Sequence, residues 1–174
     1  TEYVLHEWND FYFMCRGIPE ISFGQHFFPL NESVAKMNLN HFKYIKQTNE
    51  RRIVAGNWKQ HAWNYMDTLH INWIHKGPHG LQDAVDMTTY KTELYDMSSL
   101  QWAYAKNPAD GFALESLPDR FIDKDKPERR VFALWWFIFP NMTFNFYPWG
   151  LSINIYTPVR NDPEKTEFIW FHFV

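Results

Sequence analysis

The run Val131-Phe-Ala-Leu-Trp-Trp-Phe-Ile-Phe139 holds nine consecutive apolar residues and opens the most regular part of the sequence. Three further runs rich in β-branched and aromatic residues follow it: Asn141–Phe146, Leu151–Thr157 and Lys165–Val174. The segments between the runs carry residues that interrupt strands: Pro140, Pro148-Trp-Gly150, Pro158 and Asn161-Asp-Pro163. This alternation predicts consecutive strands of an antiparallel sheet.

Upstream of these strands, one segment has the periodicity of a helix. Apolar side chains recur at spacings of three and four at Trp58, Ala62, Tyr65, Met66 and Leu69. The spacing predicts an amphipathic helix that runs to His70, with Asn57 as its N-cap. Lys76-Gly77-Pro78 must end any helix that continues so far, because Gly and Pro both disfavour helical backbone.

The remaining segments are less regular. Asp10–Cys15 is short and aromatic and precedes a turn at residues 16–19, so we expect a strand there. Residues 31–40 indicate a short surface helix or loop, and Phe42–Lys46 resembles a strand. Residues 119–130 carry charges of both signs around Pro127, which is typical of a solvated loop.

Composition excludes several classes of protein. With 174 residues, of which 45% are hydrophobic, the chain can bury one core, so we expect a single globular domain over residues 1–174. A net charge of −3 argues against nucleic acid as a partner. The longest apolar run is about half of the roughly 20 residues that cross a membrane, and no signal peptide opens the chain. We therefore expect a soluble protein without a membrane partner, and the single cysteine, Cys15, suits a reducing cytoplasm.

Asp67-x-x-His70-x4-His75 is the pattern that carries chemistry. Asp67 and His70 share one face of a helix, whereas His75 would point roughly 140° away from His70 on an unbroken helix. Both imidazoles reach one metal only if the helix loosens after His70. Two imidazoles and a carboxylate would suit ferrous iron. Taken alone, the spacing is equally typical of two unrelated histidines at a helix end. We set aside a rival pair, His75 and His79, because Gly77-Pro78 forbids a helix between them.

A longer composite pattern surrounds these residues. Asn57-Trp-Lys-x4-Asn64-Tyr-x-Asp67-x-x-His70-x4-His75 resembles the corresponding motif of Rieske-type ring-hydroxylating oxygenase alpha subunits, most closely the branch of choline, betaine and carnitine oxygenases. Segments farther along resemble the same branch: Tyr90–Leu94, Gln101–Lys106 and Phe139–Asn154. The similarity extends from about Phe11 to the end of the sequence.

The resemblance implies an α+β fold of the helix-grip type, in which an antiparallel sheet with flanking helices curls around a cavity. It implies that His70 and His75 bind a mononuclear Fe²⁺. It also implies that Asp67 links a ligand histidine to the Rieske centre of a neighbouring subunit. Asn64 is a candidate for the site, although a plain role on the helix surface explains it equally well.

Two parts of the family's machinery do not match this sequence. The family's third iron ligand is an aspartate on a C-terminal helix, which would follow the last strand. Asp86, Glu93 and Asp96 follow the histidines, but no geometric argument favours any of them. The family's 2Fe-2S cluster needs two cysteines and two histidines in a preceding domain, and a single cysteine cannot supply it. We therefore expect a partial catalytic domain that lacks the Rieske domain and the final helix.

The implied activity is that of a non-haem iron oxygenase. Such an enzyme activates O₂ to hydroxylate or oxidatively demethylate a small organic substrate, here a quaternary ammonium compound or an aromatic. A reductase or ferredoxin would serve the complete enzyme, and the family suggests a homotrimer. Three rings are candidates for a cation-binding pocket, although an aromatic core explains them equally well: Trp73, Tyr147 and Trp149. The rival hypothesis is a non-catalytic helix-grip module that binds a ligand.

Overall fold

A seven-stranded antiparallel sheet and a separate two-stranded hairpin form the framework of the protein in a computed structural model, which describes residues 2–9, 11–46, 50–78 and 80–174. The strands are β1 Tyr3–Trp8, β2 Phe11–Arg16, β3 Glu50–Ala55, β4 Lys91–Tyr95, β5 Ser98–Tyr104, β6 Val131–Ile138, β7 Met142–Tyr147, β8 Gly150–Val159 and β9 Asp162–Phe173. The helices are α1 Phe23–Ser33, α2 Trp58–Met66, α3 Ile71–Ile74 and α4 Leu81–Ala84. Strands β1 and β2 form the hairpin, and the large sheet has the order β3-β9-β8-β7-β6-β5-β4.

The four strands expected at the C-terminal end of the sequence are confirmed as β6 to β9. Each of them pairs with the next in antiparallel register, so that Trp136 lies opposite Phe144, and Phe144 lies opposite Ile153. Side chains alternate between the two faces of a strand. One face of the sheet therefore carries a continuous row of large apolar residues. The neighbouring positions, Trp135, Asn145 and Ser152, lie on the other face, where two of the three side chains are polar.

Helix α1 and the β1–β2 hairpin cover the first face. Trp136 is fully buried there, and its indole nitrogen donates to the hydroxyl of Ser33 over 2.9 Å. Phe27 and Leu30 of α1 pack into the same apolar cluster. This layer forms the larger part of the core.

Helices α2 and α4 lie on the second face, where the packing is less extensive. The buried cluster there contains Ala103, Ala133 and Trp135. An irregularity in the β5–β6 pairing places one extra residue, Phe132, in β6, so that Phe132 and Ala133 both join this cluster. Beyond the cluster, the second face borders the cavity described below.

Some elements differ from the sequence-based expectations. The segment Phe42–Lys46 is not a strand, since only Tyr44 forms an isolated bridge, to Phe173. Helix α1 begins at Phe23, earlier than the polar stretch had indicated. Strands β1, β3, β4 and β5 were not anticipated. In β3 and β4, exposed polar residues interrupt the apolar pattern. Asp10, at the start of the first expected strand, lies outside the described residues.

Within the described residues, no helix combines the length and the apolar character that a membrane span requires.

Candidate metal centre

Helix α2 leads directly to the residues of interest. Asn57 caps it as expected, because its side-chain oxygen accepts from the Lys59 amide at 3.0 Å while Gln60 accepts from the Asn57 amide. The helix ends at Met66, and Asp67 has extended backbone angles. The chain therefore leaves the helix before His70, one turn earlier than the sequence had suggested, and Asp67 and His70 do not share a helical face.

The carboxylate of Asp67 stabilises this break. Its two oxygens accept from the backbone amides of Leu69, at 3.0 Å, and His70, at 3.3 Å. These bonds satisfy amide groups of the turn that precedes the next short helix, α3. His70 thus precedes α3 and His75 follows it.

The break brings the two histidines together. The ring centroids of His70 and His75 lie 5.1 Å apart with an angle of 65° between their planes. The backbone at Gly80 packs closely against that of His75. Only glycine fits there, since a Cβ atom at Gly80 would lie 2.4 Å from the His75 carbonyl oxygen. The spacing of five residues, which an unbroken helix could not accommodate, therefore gives a pair of imidazoles in edge-to-face contact.

Asp67 lies beside the first imidazole. Its Oδ2 atom is 3.6 Å from Nδ1 of His70, a nitrogen that is buried without a hydrogen-bond partner. The side chain of His70 is 14% exposed, whereas that of Asp67 is 47% exposed. Because Nδ1 faces the carboxylate, Nε2 is the nitrogen that His70 can offer to a metal.

The electrostatic surroundings favour a neutral imidazole at His75. Burial lowers the pKa of His75, and the neighbouring His70 lowers it further. A metal binds the neutral form of histidine, so this shift favours metal binding near neutral pH.

No third ligand joins the pair within the described part of the chain, where no cluster of three His, Cys, Asp or Glu side chains could hold a metal. Asp86 accepts from Thr88 and lies 3.7 Å from Arg129. Glu93 accepts from other side chains, and Asp96 lies in the turn between β4 and β5. His79 is outside the described residues.

The two histidines line a cavity of about 370 Å³ between the second face of the sheet and helices α2 to α4. Asn64 and Tyr147, both candidates from the sequence, are among its lining residues. Trp73 and Trp149 are not: Trp73 is 73% exposed, and Trp149 is 58% exposed and stacks on Tyr147 at 4.9 Å. The three rings considered as a cation cage are therefore not assembled around this cavity.

Sequence reasoning missed most of the cavity wall. The further lining residues are His61, Tyr65, Ile71, Leu81, Tyr90, Trp135, Asn145, Ser152, Asn154, Tyr156 and Phe168. Several of them follow the two-residue alternation of strands, with Trp135 opposite Asn145 and Asn145 opposite Ser152. Asn145 and Asn154, polar residues inside apolar strands, were the available signal, because such positions are unusual in a core.

The polar groups of the wall are largely bonded to one another. Tyr65 donates its hydroxyl to Asn145 over 2.7 Å, and Asn145 donates to the hydroxyl of Ser152 over 3.0 Å. Burial raises the pKa of Tyr65, and it raises the pKa of Tyr156 to about 12, so both phenols stay protonated. Burial and the nearby Asp67 carboxylate also raise the pKa of Tyr90. Among the described lining residues there is no Lys, Arg, Asp or Glu.

Comparison with known proteins gives a consistent picture. Residues 33–174 match the family described as ring hydroxylating alpha subunit (catalytic domain). The chloroplastic choline monooxygenase of Arabidopsis thaliana is 30% identical over 122 residues, which cover 68% of this chain and 24% of that protein. The chain thus spans about a quarter of the length of this curated relative.

Two solved structures share the fold. One is a quaternary ammonium Rieske monooxygenase studied for carnitine oxidation by gut microbiota, with a TM-score of 0.68 and 18% identity over 98% of this chain and 42% of that chain. The other is naphthalene 1,2-dioxygenase from Rhodococcus sp., with a TM-score of 0.67 and 16% identity over 98% of this chain and 44% of that chain. The expected α+β fold, an antiparallel sheet with flanking helices, is confirmed. The chain belongs to the family of ring-hydroxylating oxygenase alpha subunits, and it corresponds to their catalytic domain.

Proposed function

We propose that His70 and His75 are two ligands of a mononuclear Fe²⁺ in a non-haem iron oxygenase. The observation that supports this most directly is the contact between the two imidazoles at the wall of an aromatic cavity. The buried, unpaired Nδ1 of His70 beside Asp67 fits a histidine whose other nitrogen binds a metal. A third iron ligand would have to come from a group other than the described His, Cys, Asp and Glu side chains in their present positions.

With iron at this site, Asp67 and the lowered pKa of His75 would each contribute to metal binding. Asp67 holds the His70 ring in one orientation and makes it a more basic ligand. The lowered pKa of His75 keeps that ring neutral. Bound there, ferrous iron would supply the activation of dioxygen for hydroxylation or oxidative demethylation, with electrons from a 2Fe-2S cluster.

The cavity suits a small organic substrate. Rings line its wall, and the nearby phenols stay protonated, so it presents π faces and amide groups rather than full charges. Such a wall can hold an aromatic molecule by stacking or a quaternary ammonium group by cation–π attraction. The names of the choline and quaternary ammonium relatives favour the second class.

The assembly of the complete enzyme is part of the same proposal. Residues 1–174 would form a partial mononuclear-iron catalytic domain, and the Rieske cluster would lie in another domain. The Asp67 side chain is 47% exposed, so it is accessible to a neighbouring subunit in a homotrimer. A reductase or ferredoxin would deliver the electrons.

Anaerobic titration of the chain with Fe²⁺, followed by metal analysis, tests the site. We expect near-stoichiometric binding that is lost in His70→Ala and in His75→Ala. His61→Ala is the matched control, because His61 lines the same cavity but its ring nitrogen Nε2 is engaged with the Ala55 carbonyl at 3.2 Å. Binding that survives both variants, or that disappears equally in His61→Ala, would contradict the proposed ligands.

A ligand-binding module without catalysis is the second candidate. The incomplete ligand set in the described chain and the aromatic cavity favour it. Calorimetric binding of apolar or cationic small molecules to the iron-free chain, unchanged in His70→Ala and His75→Ala, would support this function. Binding that requires Fe²⁺ would count against it.

A further inference from the structure

Three rings that can be oxidised lie in contact between the cavity and the protein surface: Trp135, Tyr147 and Trp149. Trp135 and Tyr147 line the cavity that contains His70 and His75. The indole nitrogen of Trp135 donates to the hydroxyl of Tyr147 over 3.1 Å. Tyr147 stacks on Trp149, with ring centroids 4.9 Å apart and planes within 13° of parallel. We call these three residues the ring row.

The ring row has one buried end and one exposed end. Trp135 is 6% exposed, whereas Trp149 is 58% exposed. The ring of Tyr90 stacks on Trp135 from the cavity side at 5.8 Å, which holds the buried end in place. Phe132, which is much harder to oxidise, packs against all three rings of the row.

A second aromatic route from the cavity lacks this continuity. Tyr156 also lines the cavity, but its ring contacts there are His61 and Phe168. Phe168 in turn packs against Trp170 at 4.5 Å, so a phenylalanine separates the oxidisable tyrosine from the oxidisable tryptophan. The Tyr156 side of the cavity therefore serves as a control for electron transfer along the ring row.

We infer that the ring row carries electrons from the protein surface to the cavity, and that it thereby protects His70 and His75 from oxidation when no substrate is present. The inference rests on the proposed function, because oxygen activation in the cavity would supply the oxidant. Oxygen activation at Fe²⁺ held by His70 and His75, in the absence of substrate, would leave a strong one-electron oxidant derived from O₂ beside the two imidazoles and the aromatic wall. A path of easily oxidised rings removes that oxidising equivalent before it damages them.

The electrons and protons balance in this scheme. The oxidant takes one electron from Trp135 and is reduced by one electron. Tyr147 replaces this electron and releases its hydroxyl proton to water in the cavity. Trp149 then reduces the tyrosyl group, which takes a proton up again, and the indole cation of Trp149 releases its N–H proton to solvent. A thiol in solution returns one electron and one proton to Trp149, and two such events join two thiols as one disulfide.

Peptide mass spectrometry of the iron-loaded chain after treatment with hydrogen peroxide tests the inference without relying on turnover. We expect more oxygen incorporation at Trp149 than at Trp73, although Trp73 is more exposed and lies only two residues from His75. In Trp135→Phe, oxidation of Trp149 should fall severalfold and oxidation of the His70 and His75 peptides should rise. Tyr156→Phe should leave both unchanged. Oxidation that follows exposure alone, or that is the same in Trp135→Phe, would overturn the inference.

Photo-oxidation of the iron-free chain separates this inference from the proposed iron site. A dissolved ruthenium polypyridyl complex with persulfate removes electrons from exposed rings such as Trp149, and Tyr147 should then become oxidised and lose its hydroxyl proton to solvent. In a background in which the exposed Tyr3, Tyr12 and Tyr44 are replaced by Phe, freeze-quench electron paramagnetic resonance should show a tyrosyl signal that falls in Trp149→Phe and in Tyr147→Phe. Trp63→Phe, which removes an indole that is 66% exposed on α2, should leave the signal intact. An unchanged signal in Trp149→Phe would refute the ring row, whether or not the chain binds iron.

Discussion

At the scale of a single residue, the carboxylate of Glu93 is a possible metal ligand that is already bonded to other side chains. From the sequence it was one of three carboxylates that follow the histidines. In the structure its carboxylate accepts from the Trp102 indole at 2.8 Å, from the Tyr95 hydroxyl at 2.7 Å and from Arg120 at 2.7 Å. Burial raises the pKa of Glu93, but the three hydrogen bonds outweigh burial and lower it below 4.5. Glu93 therefore has a structural role in the edge pair β4–β5.

This shift predicts a dependence of stability on pH. Since the folded state lowers the pKa of Glu93, its contribution is fully present above pH 4.5, the ordinary value, and is lost as the pH falls through the lower folded-state pKa. Glu93→Gln should lose about 1.5–3 kcal/mol of unfolding free energy at neutral pH and less in acid. Urea unfolding at several pH values measures both effects. The exposed Glu115 serves as the control, and an equal loss in Glu115→Gln would contradict a specific role for Glu93.

At the scale of the element, the site depends on a helix that stops. The apolar periodicity of residues 57–70 continues past Met66, yet α2 ends there and Asp67 accepts two amide hydrogens of the following turn. Side-chain oxygens of Asp compete with helical hydrogen bonds in this way. The break brings the rings of His70 and His75 into contact at the same cavity, which an unbroken helix would not allow.

Two substitutions at Asp67 separate its role as a hydrogen-bond acceptor for the turn from its charge. Asp67→Ala should cost about 1 kcal/mol of unfolding free energy, because the amides of Leu69 and His70 lose their acceptor. Asp67→Asn keeps an acceptor oxygen and should cost much less. Both should weaken Fe²⁺ binding by roughly 10–100-fold, because the histidine loses its ionised partner.

Urea unfolding and anaerobic titration measure the two quantities separately. Asp86→Asn provides the control, because Asp86 caps another turn through Thr88 but is not part of the histidine pair. Full Fe²⁺ affinity in Asp67→Asn would show that the negative charge of Asp67 has no part in metal binding.

At the scale of the whole molecule, the sheet separates two layers with different tasks. The first face is densely packed against α1 and the hairpin, and the second face is shared between a small cluster and the cavity. On the first face, Trp136 connects the sheet to helix α1. It is fully buried, stacks on Tyr95 of β4 and donates to Ser33 of α1. A rigid first face supports the strands from which Trp135, Asn145 and Ser152 project into the cavity.

Removal of this indole should therefore destabilise the whole domain. Trp136→Ala should cost about 3–5 kcal/mol of unfolding free energy, the range for large-to-small changes in a core. Trp63→Ala, at a position that is 66% exposed, should change it by about 0.5 kcal/mol or less. Guanidinium unfolding followed by circular dichroism gives both values. Similar losses in the two variants would mean that Trp136 does not hold the sheet and helix α1 together.

The sequence by itself determined the features that depend on near neighbours along the chain. Strands β6 to β9 were recognisable because apolar runs alternate with proline and glycine over short distances, and Asn57 was recognisable as a cap because its partners lie within three residues. The motif around His70 and His75 identified the family for the same reason, since its residues are close in sequence.

Only the tertiary structure decided where the helix breaks, which residues line the cavity and which carboxylates are already engaged. These features depend on contacts between distant segments: Tyr65 reaches Asn145 across 80 positions, and Arg120 reaches Glu93 across 27. Trp73 was a candidate for the binding site and Trp135 was not, yet the fold exposes the first and buries the second at the cavity. A local pattern records the preference of a segment for helix or strand, whereas burial and pairing depend on which segments meet when the sheet closes over its two layers.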